Sequence, residues 1–226
     1  MWKKLLFILL FVVELFSSSI YEMKGNTQTF KDVPKGSVKR YVQELEKTGV
    51  HSPVEYVMLG ITYEFGIKDE GIKKNIKKAE KYYRLAYKNK ITYGGIRLAL
   101  LLLQKEKVND AEKILENMYF SNDFQEEMSY KEKSIILSIL KKIAKDEKKF
   151  DKEFFYLNES VKNFKNDKDA LKLFYIKYYG LNGIIQDNKD AEYYLNIACQ
   201  NVKSQEVYNF CSSSPLIIKE KKNGSK

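Results

Sequence analysis

The sequence is poor in cysteine, proline, histidine and arginine. Its 226 residues include two Cys, three Pro, one His and three Arg (Arg40, Arg84, Arg97), so Lys supplies nearly all of the +10 formal charge. One His and two Cys fall short of the four ligands, or three plus water, of a tetrahedral zinc site. Two Cys allow a single bridge, which excludes a disulfide-dense mini-protein. Three Pro exclude collagen-like and Pro-rich classes. A Walker loop and a dinucleotide glycine fingerprint are both missing. No metal and no cofactor is expected. What is present, 44% hydrophobic residues with 14% aromatic, excludes a disordered chain and suits a buried core.

The distribution of the scarce residues is as telling as their number. No Pro lies between Val54 and Ser214, and no Gly between Ile96 and Tyr179. Sheets of short strands need frequent turn residues, so this spacing disfavours a β fold. Helical periodicity is present instead. Val38, Tyr41, Val42 and Leu45 follow i, i+3, i+4, i+7, with Gly49 placed as a C-terminal cap. Ile135, Ile136, Ile139, Leu140, Ile143 and Ala144 repeat the pattern behind Ser129 and Glu132, which have the form of a capping box. About ten helices are predicted, with short connections.

The first residues read as an address. Lys3 and Lys4 precede nine apolar residues, Leu5–Val13, and Ser17-Ser18-Ser19 follow Glu14. This is the form of a secretory signal over 1–19. The alternative is an uncleaved anchor, but the apolar run is about half the roughly 20 residues that span a bilayer. Residues 20–36 are expected as a linker, 37–213 as the folded domain and 214–226 as a basic tail. The protein is then exported, periplasmic or secreted, without stable membrane insertion after cleavage. Lys- and Asn-rich, Arg-poor usage points to a bacterium with an AT-rich genome.

Self-comparison aligns Gly71–Ala86 with Gly183–Ala198. In both, Gly precedes the first Ala (Ala79, Ala191) by eight positions, a Tyr (Tyr82, Tyr194) follows it by three, and a second Ala (Ala86, Ala198) by seven. Asn75 and Asp187 stand where each helix needs a cap. A weaker copy contains Ala111. The interval from Ala79 to Ala191, 112 residues, accommodates three units of about 37, with one more second helix near Asp151–Phe164. The stretch with Leu59, Gly60, Tyr63 and Gly66, then Lys78, Ala79, Tyr82, Tyr83 and Ala86, resembles the Sel-one-like repeat, a branch of the tetratricopeptide-like α-solenoids. The likeness is good over Val54–Asn89 and partial over Asp169–Asn201, where Phe174 replaces the family's Gly and Lys177 its Tyr. It is poor between Ile91 and Phe164, and a mixture of Sel-like and ordinary tetratricopeptide units fits as well. The resemblance implies an all-α, right-handed α-α superhelix (solenoid) of about four helix-turn-helix repeats with capping helices. The caps are expected at Tyr41–Leu45 and Gln205–Ser213. In such a hairpin, Ala and Gly permit close backbone approach while Tyr and Leu fill the space between hairpins.

Cys199 falls near the end of the last repeat's second helix and Cys211 in the following short helix, with eleven residues between them. Exported cysteine-rich relatives pair a Cys of one hairpin with one of the next, which implies a Cys199–Cys211 bridge stabilising by roughly 2–3 kcal/mol. Two buried free thiols are the alternative.

Candidate catalytic groups each have a plainer explanation. Ser138-Ile-Leu-Lys141 has the Ser-x-x-Lys form of penicillin-recognising enzymes, and Lys47-Thr48-Gly49 supplies a Lys-Thr-Gly. The order is reversed, however, no Ser-x-Asn is present, and Ser138 sits in an apolar helix. His51 lies in a turn, and Glu126-Glu127 suits a solvated helix end. Aromatic and basic residues interleave at Tyr83, Arg84 and Tyr87 and at Tyr178 and Tyr179, candidates for a concave partner-binding face. The expected function is an exported, non-enzymatic scaffold that binds a protein, peptide or envelope component. The alternatives are a cell-wall or β-lactam hydrolase and a cationic envelope-associated structural protein. Nucleic acid is not expected as a partner, because Arg, the bidentate phosphate reader, is scarce.

Overall fold

Helix boundaries in this chain are set by small polar and glycine residues, at Asn75, Asp187 and Ser129 as predicted and at Ser52 in addition. Ser52 and Glu55 form a reciprocal capping box ahead of Pro53. Asn75 Oδ1 accepts the Lys78 N–H, Asp187 Oδ1 accepts those of Lys189 and Asp190, and Ser129 Oγ accepts that of Glu132. The computed structural model describes residues 36–125 and 128–213. The expected signal, the linker up to residue 35, the tail and Glu126-Glu127 lie outside them.

Among the described residues there are eleven α-helices. They are α1 Ser37–Thr48, α2 Pro53–Phe65, α3 Ile76–Lys88, α4 Thr92–Gln104, α5 Val108–Phe120, α6 Asn122–Gln125, α7 Tyr130–Asp146, α8 Phe150–Phe164, α9 Asp167–Tyr179, α10 Asn188–Gln200 and α11 Gln205–Ser213. The fold is all-α, and neighbouring helices pair in sequence as a Sel-like repeat solenoid requires. The first cap helix is longer than the predicted Tyr41–Leu45, because its polar outer face continues the helix although only Val42 and Leu45 are buried. The one-turn α6 is the element that apolar periodicity did not reveal.

The chain divides into two compact units between Ile135 and Ile136, within α7. In the first, α2 packs on α3, α3 on α4 and α4 on α5. Ala79 and Ala86 are fully buried, as are Ile96, Leu98 and Ala99 of α4 and Ala111 and Leu115 of α5. In the second, α8, α9, α10 and α11 enclose Leu157, Val161, Ala170, Leu173, Phe174, Ala191, Ala198 and Val207. Cys199 and Cys211 are joined by a disulfide with Cα atoms 5.7 Å apart, tying α11 to α10.

The two aligned hairpins correspond position by position. Asn75 N–H donates to Tyr63 O at 2.7 Å, and Asp187 N–H donates to Lys177 O at 2.9 Å. Lys177 therefore occupies the place of Tyr63, with a connection two residues shorter. Lys78 Nζ lies 4.5 Å from the Tyr63 ring centre, whereas Lys177 Nζ pairs with Asp190 at 2.9 Å, so the cation has changed sides. Likewise Phe174 takes the place of Gly60 and Leu195 that of Tyr83. A Cβ at Gly60 would lie 2.3 Å from Tyr83 Cε1, so glycine is what lets the large ring reach the α2 backbone. Where the facing residue shrinks to Leu195, Phe174 fills the space, and both are buried in the second core.

Candidate functional site

The residues predicted to meet a partner divide into buried and accessible sets. Tyr83 is fully buried, and its hydroxyl donates to Glu64 Oε2 at 2.6 Å. This corrects the expectation for Tyr83: its ring belongs to the core and offers no partner surface. Of the adjacent pair Tyr82-Tyr83, helical spacing alone marks Tyr82 as a repeat position, and Tyr83 is drawn inward by the open space over Gly60. Tyr82 is also buried, its hydroxyl donating to Glu46 of α1 at 2.9 Å. Burial, with Glu46 beside it, pushes the Tyr82 hydroxyl well above its ordinary range.

Tyr87 is half-buried, stacks on Phe124 with ring centres 5.5 Å apart, and donates to Asn117 Oδ1 at 3.0 Å. It is a pillar joining α3, α5 and α6, and its equivalent in the second hairpin is Cys199, the disulfide residue. Arg84 is exposed and grips its own helix, Nε and Nη2 donating to Glu80 Oε1 at 3.0 and 2.7 Å. Tyr178 is half-buried against Phe174 at 5.3 Å. Tyr179, the last residue of α9, is 61% exposed.

An equivalent residue escaped the sequence reading. Phe65 ends α2 as Tyr179 ends α9, each before a glycine with positive φ, and Phe65 is 62% exposed. The Phe65-Gly66 and Tyr179-Gly180 dipeptides are the signal that could have found it. Val54 and Met58 are exposed on the same helix as Phe65. Beneath Phe65, 5.4 Å from its ring centre, lies the Arg97 guanidinium carbon, which α4 contributes. Arg97 Nη2 is 2.5 Å from Glu64 Oε2, and both side chains are only 10% exposed.

The catalytic candidates are divided between the two units, His51 and Lys47-Thr48-Gly49 in the first and Ser138 and Lys141 in the second. His51 is exposed ahead of α2, with its backbone N–H on Glu55 Oε2. Thr48, in the Lys47-Thr48-Gly49 stretch, donates to Glu44 O at the end of α1. Ser138 is half-buried in α7. Lys141 is engaged by Asp169, with Ser160 Oγ at 3.3 Å, which binds α7, α8 and α9 of the second unit into one polar network. No cluster of metal-ligating side chains is found among the described residues. None of the described helices is long and apolar enough to cross a membrane.

Comparison with protein families matches the Sel1 repeat at residues 56–90 and 169–201, the two hairpins in which Phe65 and Tyr179 stand at the same register. No curated protein and no solved structure matches the chain.

Proposed function

We propose that this chain, with its two Sel1 repeats, is an exported, non-enzymatic scaffold that holds a protein partner on its helix hairpins. Sel1 repeats generally mediate protein interactions. The observation that carries the reading here is the pair Phe65 and Tyr179, aromatic residues at one register of both repeats and more than half exposed. Neither fills a core, and an exposed aromatic ring at a fixed repeat position supplies rigid, low-entropy contact area. The Cys199–Cys211 disulfide supports an oxidising compartment. Against hydrolysis stands the environment of Lys141, whose ammonium is held by Asp169 rather than beside an open serine.

Site-specific photocrosslinking tests this reading. A benzophenone amino acid is placed at Phe65, at Tyr179 and, as control, at the exposed Lys107, and cells are irradiated. One common partner is expected from positions 65 and 179, and none from 107. Absence of any adduct at both aromatic positions, or equal adducts at all three, overturns it.

A further inference from the structure

A strongly cationic stripe of the first unit lies on α3. Lys77, Lys81, Arg84 and Lys88 line one shallow groove of about 460 Å³, together with Glu80 and Leu85. Their spacing of 4, 3 and 4 residues keeps the four cations within a narrow stripe about 17 Å long at 1.5 Å rise per residue. Lys77, Lys81 and Lys88 are exposed and make no ion pair among the described residues. The single carboxylate of the groove is already neutralised. Glu80 Oε2 receives Lys105, and its Oε1 receives the Arg84 fork. Lys105 first, then Arg84, holds the Glu80 carboxyl below its ordinary range, so it stays ionised and paired.

The repeat does not require these cations. At the matching positions α10 carries Lys189, Tyr193, Asn196 and Gln200, one charge instead of four, and packs by the same Ala and Tyr positions. The stripe is thus an addition to the first repeat and not part of its folding pattern. Lys77, Lys81 and Lys88, in line and unpaired, repel one another, and a partner of opposite sign offsets that repulsion.

We infer that this groove docks an acidic helical segment of a protein partner, with carboxylates at the same 4-3-4 spacing. Two features favour a helix over a phosphate polymer. Arg84, the only side chain in the groove able to clamp a phosphate with two parallel bonds, has its fork on Glu80, leaving ammonium groups that pair equally well with separate carboxylates. Between them Leu85 and the aliphatic Lys stems give an apolar floor for one Leu or Ile of a partner helix. This surface is distinct from the exposed aromatic positions and stands or falls separately from them.

The test uses a fluorescent, alanine-rich helical peptide of about 18 residues with four Glu at 4-3-4 spacing and one central Leu, a scrambled isomer of equal charge, and inorganic polyphosphate. Anisotropy is read with the oxidised protein at about 50 mM salt. The patterned peptide is expected to bind about tenfold more tightly than the isomer, and the K77Q/K81Q/K88Q variant to lose that advantage while its urea midpoint is unchanged. Equal binding of the two peptides, unchanged affinity in the triple variant, or displacement of the patterned peptide by polyphosphate at equal charge concentration overturns the inference. The last outcome reassigns the groove to phosphate polymers.

Discussion

The Arg97 guanidinium of α4 and the Glu64 carboxylate of α2 meet at 2.5 Å with both side chains nine-tenths buried. Tyr83 of α3 shares the same carboxylate oxygen, so three helices converge on one charge. Among the described residues Arg97 Nε has no hydrogen-bond partner, and the Phe65 ring centre lies 5.4 Å from the guanidinium carbon. Removing one member leaves the other as a buried, uncompensated charge, which costs about 3–5 kcal/mol. Glu64→Leu and Arg97→Met should each destabilise by that order in urea unfolding. The double variant should recover most of the loss, since an apolar pair of similar volume needs no desolvation of ions. Simple addition of the two losses would show that the pair does not act as a unit.

Gly60 is expected to be the most restrictive small residue of the first hairpin. Its absent Cβ would stand 2.3 Å from a ring carbon of a fully buried Tyr83, and a packed core cannot yield that much. Gly60→Ala should lower stability by about 1–3 kcal/mol. In a Tyr83→Leu background the same change should be much milder, because Leu195 faces a full Phe174 at the equivalent place in the second hairpin. Coupling between the two substitutions, measured by a thermodynamic cycle in urea, checks this. An equal penalty in both backgrounds would sink it.

The middle of the chain contains left-handed turn residues that composition conceals. Lys90, Glu106 and Lys148 all have positive φ between 55° and 64°. Each closes the same motif, seen as Ile91 N–H to Ala86 O, Lys107 N–H to Leu102 O and Lys149 N–H to Ala144 O. A non-glycine residue there carries strain of about 1–2 kcal/mol, against a glycine entropy penalty of about 0.5–1 kcal/mol. Glu106→Gly and Lys148→Gly should therefore each raise stability by about 0.5–1 kcal/mol. Lys90→Gly should not, because Lys90 also pairs with Asp123 at 2.5 Å. Thermal melts of the three variants decide the matter, and destabilisation at Glu106 and Lys148 would refute the account.

These turns mark the limit of what the residues alone disclose. The repeat register was legible because Ala79, Tyr82 and Ala86 recur 112 residues later with glycine at a fixed offset. Asn75, Asp187 and Ser129 marked helix starts because a capping oxygen acts within three residues of itself. The middle hairpins were obscure because Lys and Glu stand where glycine normally announces a helix end. The fate of Tyr83 was equally hidden. It depends on Arg97, fourteen positions onward in another helix, and on an empty volume over Gly60 that periodicity does not encode. Burial of adjacent Tyr82 and Tyr83 on one helix is a property of three packed helices and not of one amphipathic face.

The disulfide sits where the first unit uses a stacked Tyr87. It closes a twelve-residue separation and fastens α11, whose Val207 is buried in the second core. Reduction should lower stability by roughly 2–3 kcal/mol, chiefly by loosening the unfolded chain. Unreduced native protein should resist alkylation, and reduced protein should take two labels. Two reactive thiols in the native protein would contradict the bridge.

Asp167 supplies the matching polar latch. It begins α9, is buried, and its Oδ2 accepts the backbone N–H groups of Lys203 and Ser204 at 2.8 and 2.7 Å, just ahead of α11. Burial on its own would raise its pKa, but the N–H donors of Lys203 and Ser204 outweigh it and hold the carboxyl below the ordinary range. A folded-state pKa below the unfolded one means that the folded state favours the ionised form. The stabilisation is therefore present above the unfolded pKa, about 3.9, and is lost as pH falls through the lower folded value. Asp167→Asn keeps one acceptor but forfeits the charge, and should cost about 1.5–3 kcal/mol at neutral pH. The difference in unfolding free energy between the natural chain and Asp167→Asn should be constant from pH 7 to about 5 and shrink below about pH 4. A difference that stays constant into strong acid would show that the carboxylate charge is not what holds the chain ahead of α11 in place.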